Sequence, residues 1–197
     1  MEKNRLEAFS DGVLAIIITI MVLELKVPEG QDWAVLKPKL PIFLTYVLSF
    51  IYVGIYWNNH HHLIKAVRKV NAGMMWANLH LLFWLSLFPF VTGWMGENHL
   101  APIPTALYGA VMLQAAIAYY ILQNTIVADL GRDSKLAAAM GCDFKGKLSP
   151  IFYALAIGLA FVEPILSAAI YIVVALMWFI PDRRIERVVQ ADEHSEN

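Results

Sequence analysis

The chain has 197 residues, of which 59% are hydrophobic and only 16% are charged, and its formal net charge is −1. Soluble domains contain about 45–50% apolar and about 25% charged residues, so a soluble globule of this composition would expose apolar patches and aggregate. The composition therefore predicts an integral membrane protein, and the near-neutral charge argues against nucleic-acid binding.

Six apolar segments follow one another along the chain. A membrane-spanning helix needs about 20 mostly apolar residues. The predicted helices cover about 5–27, 40–63, 72–96, 103–128, 148–162 and 164–180. Their apolar pattern is helical or uniform, so the predicted fold is all-α, an integral membrane domain over residues 1–181 with six transmembrane helices. Residues 182–197 are polar and are predicted to form a cytoplasmic tail.

The placement of lysine and arginine predicts the orientation in the membrane. With the amino terminus inside, 12 of the 15 basic residues fall on the cytoplasmic side, and only Lys26, Lys37 and Lys39 fall on the other. Cytoplasmic loops carry an excess of basic residues, so both termini are predicted to be cytoplasmic. The first helix is not expected to be a cleaved signal peptide, because Glu24-Leu25-Lys26 follows it instead of a small-residue cleavage site.

The first helix carries a carboxylate at membrane depth. Twelve residues separate Asp11 from Glu24. At about 1.5 Å per residue they span roughly 18 Å, less than the ~30 Å hydrocarbon core, so Asp11 must enter the membrane or its edge. An unpaired carboxylate there is unfavourable. Either Asp11 caps the helix at the headgroups, or it has a partner on another helix, since Arg5 at i, i+6 lies on a different face.

An apolar stripe follows Asp11 on the same helix. Ile16, Ile20 and Leu23 recur at i, i+4 and i+7 and share one face, with Thr19 at its edge. Such a stripe ordinarily faces lipid or packs in a core, and spacing alone favours that interpretation. If several copies converged on an axis, the same side chains would instead form hydrophobic rings that admit or exclude water and so gate ions.

The second and third helices carry polar groups at membrane depth. His60, His61 and His62 are consecutive, and successive helical residues diverge by about 100°, so the three cannot converge on one ion. Cys142 is the only cysteine, which excludes an intrachain disulfide and a cysteine zinc cluster. We therefore predict no metal site and no cofactor. His60 and Asn78 are expected to form hydrogen bonds within the bundle.

Sequence patterns of several other functions are missing. The chain has no Ser-His-Asp spacing that suggests a nucleophile, no phosphate-binding glycine loop and no paired intramembrane carboxylates suited to hydrolysis. It is therefore predicted not to be an enzyme. It also lacks a TVGYG-type filter, which excludes the usual carbonyl-lined potassium pore.

Three short patterns stand in the first half of the chain. They are Arg5-x-x-x-Phe9-Ser10-Asp11, Trp57-x-x-His60-x-x-Leu63, and Asn78-Leu79 followed by Leu87-Phe88-Pro89-Phe90. Together they resemble the transmembrane protein 175 family of potassium channels, which has lysosomal and bacterial members. The resemblance covers roughly residues 5–92, and the second half matches in hydropathy and helix count only. With one such motif, the chain resembles the bacterial single-repeat branch.

The resemblance implies a homotetramer in the bacterial plasma membrane, with the first helices lining the pore. It implies that Ile16 forms the constriction, that Ile20 and Leu23 form the next layers, and that Thr19 is a pore-side hydroxyl that influences selectivity. It also implies an inter-helix polar network, whose members would be Arg5, Phe9, Ser10, Asp11, Trp57, His60 and Asn78. Because two further histidines follow His60, the motif leaves open which histidine joins the network.

We therefore predict a potassium-permeable cation channel with a hydrophobic constriction in place of a carbonyl filter. Membrane lipid, potassium ions and further copies of the chain are the predicted partners, and acidic Asp11 and Glu24 are expected to concentrate cations at the two pore mouths. The main alternative is a secondary transporter or proton-coupled cation carrier in which Asp11 and His60 form a proton relay. A metal-binding membrane enzyme and a purely structural membrane subunit are the remaining alternatives.

Overall fold

A computed structural model describes residues 2–67, 69–131 and 144–179 of the chain. In those ranges the regular secondary structure consists of seven α-helices and one 3-10 helix. In chain order they are α1 (Lys3–Leu23), the 3-10 helix (Trp33–Lys39), α2 (Leu40–Lys65), α3 (Ala72–Ser86), α4 (Phe88–Glu97), α5 (Pro102–Leu130), α6 (Phe144–Leu159) and α7 (Pro164–Phe179). The predicted tail 182–197 and Cys142 lie outside the described residues.

Four helical segments are long and apolar enough to cross a membrane. They are α1, the 3-10 helix continued by α2, the α3–α4 pair, and α5. The remaining two helices, α6 and α7, have 16 residues each and are joined at Glu163-Pro164 in a short hairpin. With α3 and α4 counted as one segment, the described residues form the six helical segments that were predicted, and the all-helical membrane fold is confirmed.

Two predicted helix boundaries differ from the observed ones, and a proline lies close to each. The third predicted helix is interrupted at Leu87, between α3 and α4. Pro89 has no N–H to donate to the Leu85 carbonyl, which breaks the helical hydrogen-bond ladder there. The first helix ends at Leu23 rather than at residue 27. Residue 27 precedes a proline, a position that disfavours helical dihedral angles.

The helix α1 lies at the edge of the bundle. The central helix α5 contacts α3, α4, α6 and α7, whereas α1 contacts only α2, α3 and α4 among the major packing partners. One face of α1 is buried against those three helices, and its residues are Leu6, Ser10, Leu14, Ile17 and Met21. The opposite face is therefore left outside the core of the subunit.

Gly96 permits a close crossing of α4 over α2. A Cβ atom at this position would lie 2.6 Å from the Ile42 Cα and 2.5 Å from the Thr45 Oγ1. Because a backbone atom cannot rotate away, Gly96→Ala is expected to reduce stability by about 1–3 kcal/mol. Thermal unfolding of the detergent-purified protein measures this as a lower midpoint.

Gly54→Ala is the matched control on α2, because a Cβ there has no described atom within 4 Å. Alanine is the better helix former by about 1 kcal/mol, so the midpoint of this variant should stay the same or rise. Equal midpoints for the two variants would contradict the close crossing.

Candidate functional site

The outward face of α1 carries the predicted pore residues. Ile16, Ile20 and Leu23 are 58%, 42% and 76% exposed in the subunit, whereas Leu14 and Ile17 on the opposite face are 1% and 3% exposed. Large apolar side chains remain uncovered in this way only where lipid or another chain covers them in the assembled protein. The stripe therefore does not belong to the core of its own subunit.

Two further predicted residues lie on this outward side. Thr19 is exposed, and its hydroxyl donates a hydrogen bond of 2.9 Å to the Ile16 carbonyl of the same helix. Because a hydroxyl oxygen has two lone pairs, the Thr19 oxygen remains available outside the helix. Phe9 is 52% exposed and, being apolar, forms no part of a hydrogen-bond network. It extends the apolar surface toward the start of α1.

A groove separates the stripe from the α3–α4 pair. Ile16 and Ile20 line one wall, Phe90 and Trp94 line the other, and Glu24 lies at its end. Membrane helices associate through close van der Waals packing, and an apolar groove beside an exposed helix face offers that kind of surface. The outward face of α1 is therefore suited to contact with another membrane helix.

Charged residues lie beyond the stripe, at the end of α1. The Lys26 Nζ is 2.7 Å from the Glu97 Oε1, and this hydrogen bond and the charge of Glu97 raise the pKa of Lys26, which keeps it cationic. The Glu24 carboxylate forms no hydrogen bond or ion pair with a described residue. Its carboxylate lies over Gly93, where a Cβ atom would be only 3.2 Å from the Glu24 Oε2. The Glu97 carboxylate thus contacts Lys26 directly, while the Glu24 carboxylate acts on Lys26 through its charge without a direct contact.

A buried chain of hydrogen bonds connects α1, α2 and α3 at the amino-terminal half of α1. The His60 Nε2 is 2.7 Å from the Asn78 Oδ1, the Asn78 Nδ2 donates to the Ser10 Oγ at 2.9 Å, and the Ser10 hydroxyl donates to the Leu6 carbonyl at 2.9 Å. Because the Asn78 oxygen can only accept, His60 donates through Nε2. The His60 Nδ1 is buried and has no partner among the described residues.

A second set of contacts joins α1 to α2 along their edge, and we call it the α1–α2 ladder. Its three rungs are the Trp57 Nε1 donating to the Asp11 Oδ1 at 3.0 Å, the His61 Nδ1 at 2.9 Å from the Glu7 Oε1, and the Lys3 Nζ donating to the Lys65 carbonyl at 2.6 Å. The two helices run antiparallel, and successive rungs are one helical turn apart. The partner of Asp11 therefore lies on another helix.

Arg5 is the predicted network member that the described contacts leave outside. It is exposed, and its guanidinium makes no hydrogen bond or ion pair with the described residues, so its role stays a prediction. Asp11 and His60 use different partners, Trp57 and Asn78. No hydrogen bond joins Asp11 directly to His60 in the described contacts, and a direct proton relay between them has no geometric support here.

The consecutive histidines diverge as their helical spacing predicted. His60 points to Asn78 inside the bundle, whereas His61 pairs with Glu7 and stacks on Trp57 with ring centroids 6.5 Å apart. Within the described ranges, no group of three or more His, Cys, Asp or Glu side chains is arranged to hold a metal ion.

Sequence reasoning missed two of the three rungs of the ladder, the Glu7–His61 and Lys3–Lys65 contacts. The signal was a spacing of four residues on each helix, at 3, 7 and 11 on α1 and at 57, 61 and 65 on α2. Each set lies on one helical face, because residues four apart are neighbours on the helix surface. Glu7 and His61 could therefore have been paired once Asp11 and Trp57 were placed together.

Comparison with known proteins shows extensive similarity. The profile of the family described as "Endosomal/lysosomal potassium channel TMEM175" matches residues 5–89. A protein of Chryseobacterium sp. (strain P1-3), named a potassium channel, is 60% identical over 187 residues, which are 95% of this chain and 97% of that protein. A potassium channel of Streptomyces collinus is 33% identical, with 90% of this chain and 91% of that protein covered.

A solved structure shares the fold. The crystal structure of a lysosomal potassium-selective channel TMEM175 homologue from Chamaesiphon minutus superimposes with a TM-score of 0.78 at 27% sequence identity. The match covers 92% of this chain and 98% of that one. The similarity thus extends through α6 and α7, beyond the part matched by the family profile.

Proposed function

Because this chain belongs to the TMEM175 family of potassium channels, we propose that it forms a potassium-permeable pore whose narrowest part is a ring of Ile16 side chains. It is a multi-pass protein of the bacterial plasma membrane. The family consists of channels rather than enzymes. Ile20 and Leu23 form the next apolar layers of the pore, and Thr19 places a hydroxyl among them.

The exposure of Ile16 is the observation that supports this proposal most directly. Its side chain is 58% exposed on a helix whose opposite face is packed into the bundle. One subunit offers one such face, so a closed ring needs several copies, and we propose four. In this arrangement the α1 helices meet at an axis, and the groove beside each stripe receives the neighbouring subunit.

Selectivity arises at the ring through partial dehydration. An apolar constriction offers no oxygen ligands to replace lost water, so each cation passes in proportion to how readily it sheds part of its hydration shell. Potassium is larger and holds its water less tightly than sodium, and it therefore loses part of the shell at a lower free-energy cost. The result is a moderate preference for potassium without a dedicated binding site.

Glu24 is expected to attract cations to one mouth of this pore. Fixed charges at a pore mouth raise the local concentration of counter-ions. Glu24→Gln should therefore reduce the potassium flux that enters through that mouth at low ionic strength, by about twofold or more. At high ionic strength the difference from the wild type should shrink, because salt screens exposed charges. Flux recorded at two salt concentrations with osmotic balance measures this effect.

Lys26→Gln provides the opposite change at the same site. It leaves Glu97 without its ion-pair partner, so the mouth gains net negative charge and the low-salt flux should rise. Equal salt dependence in the wild type and both variants would contradict a role for these charges in cation entry.

The proposed function is tested with purified protein in liposomes under a potassium gradient. A channel gives flux with the protein alone and unitary current steps in planar bilayers. A secondary transporter gives saturable flux with a fixed proton stoichiometry and no unitary steps, and a purely structural subunit gives no flux. Either of the last two results would reject the proposal.

A further inference from the structure

A cavity lies inside the subunit, away from the outward face of α1. It lies between α2, α5, α6 and α7, and its volume is about 40 Å³. Aromatic rings form much of its wall, including those of Tyr52, Tyr153 and Trp178. No side chain of Asp, Glu, Lys or Arg is found among its described lining residues.

Two polar groups at this cavity lack hydrogen-bond partners. Gln123 is only 4% exposed and Tyr56 only 9% exposed, and both line the cavity. Neither the Gln123 amide nor the Tyr56 hydroxyl forms a hydrogen bond with any described residue. By contrast, the Trp178 Nε1 in the same wall donates to the Ser149 Oγ at 2.8 Å.

Buried polar groups in proteins are nearly always hydrogen-bonded to protein, water or a ligand. An unsatisfied amide and an unsatisfied phenol at the same small cavity therefore indicate an occupant with a hydrogen-bonding group. The occupant must be uncharged, because an ion without a charged partner would be strongly unfavourable in these surroundings.

Size restricts the occupant further. A water molecule needs about 10–15 Å³ of such space, so the cavity accommodates roughly three to four non-hydrogen atoms. Water could bond to the Tyr56 hydroxyl and the Gln123 amide, but it would leave the aromatic rings of the wall without apolar contacts. A molecule with one hydroxyl and a short apolar part suits these two groups and the surrounding rings better.

We propose that this tyrosine-lined cavity binds a short-chain alcohol, whose hydroxyl bridges Tyr56 and Gln123 while its carbons contact the aromatic wall. The hydroxyl both donates and accepts, which matches a phenol and an amide together. The site lies within one subunit and is independent of the proposed ion conduction. Its test needs no measurement of flux.

Saturation-transfer NMR on the detergent-purified full chain tests the proposal with ethanol, 1-propanol and 1-hexanol as probes. Ethanol and 1-propanol should bind saturably with millimolar affinity, because so few atoms make contact. Hexanol should show no saturable component, because it exceeds the cavity. Tyr56→Phe and Gln123→Leu should each weaken 1-propanol binding about fivefold through loss of one hydrogen bond.

Two further variants distinguish binding in the cavity from nonspecific partitioning of the alcohols into detergent. Ala116→Leu fills the cavity without removing a polar group and should abolish saturable binding, whereas Tyr120→Phe changes an exposed tyrosine in the cavity lining and should leave it intact. Gln123→Leu removes an amide that has no described partner, so it should fold normally. A signal that rises with chain length equally in all variants, or the absence of saturable binding in the wild type, would overturn the proposal and leave water as the occupant.

Discussion

Replacing Ile16 with asparagine is expected to reduce the preference for potassium over sodium several-fold. The amide supplies hydrogen-bonding groups at the proposed constriction, so sodium can pass with more of its hydration shell. Each tenfold change in selectivity corresponds to about 1.4 kcal/mol, an amount that one hydrogen-bonding side chain per subunit can readily alter. Because Ile16 is largely exposed in the subunit, the substitution leaves the core of the bundle unchanged. The shift in reversal potential under bi-ionic potassium and sodium conditions measures the effect.

Val22→Asn is the matched control for this experiment. Val22 is also on α1 and is 44% exposed, but it lies about 240° around the helix from Ile16, outside the stripe. The same chemical change there should leave the reversal potential unaltered. Unchanged selectivity in Ile16→Asn, or equal shifts in both variants, would remove Ile16 from the proposed constriction.

Replacing Asn78 with leucine is expected to cause the largest loss of stability among the predicted network residues. Asn78 is fully buried and receives the only hydrogen bond of the His60 ring among the described contacts. After the substitution neither nitrogen of His60 has a partner there, which costs about 1–3 kcal/mol. The thermal midpoint of the purified protein should fall by several degrees.

Two further variants test whether the hydrogen bond is responsible. Asn124→Leu changes an exposed asparagine whose side chain, within the described ranges, bonds only to the Tyr120 carbonyl of its own helix, and it should shift stability by less than about 0.5 kcal/mol. In the double variant with His60→Leu both partners are apolar, so part of the lost stability should return. Additive losses in the double variant would show that packing, not the hydrogen bond, carries the effect.

The parts of the fold that the sequence predicted depend on strong local signals. Long apolar runs bounded by prolines predicted the helical segments, because the membrane core imposes their length. The buried positions of His60 and Asn78 followed from a similar argument, since polar groups at membrane depth need partners. The His60 Nε2 and the Asn78 Oδ1 lie 2.7 Å apart in the structure.

Contacts between distant segments could not be predicted from the sequence, and the reason is physical. The central helices are apolar around most of their circumference, so periodicity does not show which face meets which neighbour. The ion pair of Lys26 with Glu97 joins residues 71 positions apart, and the tyrosine-lined cavity forms only where four helices meet. Neither has a local sequence signal that could have predicted it.

The α1–α2 ladder has a consequence for where a pore constriction can form along the membrane normal. Its rungs are chemically different, so a slide of α1 by one turn, about 5.4 Å, would bring Lys3 opposite His61 and leave Asp11 facing apolar Val53. Sliding of α1 along α2 is therefore disfavoured. Ile16 lies five residues beyond Asp11, roughly 7.5 Å along the helix. Every copy of the chain must consequently present Ile16 at the same depth, which allows identical side chains to meet in one plane.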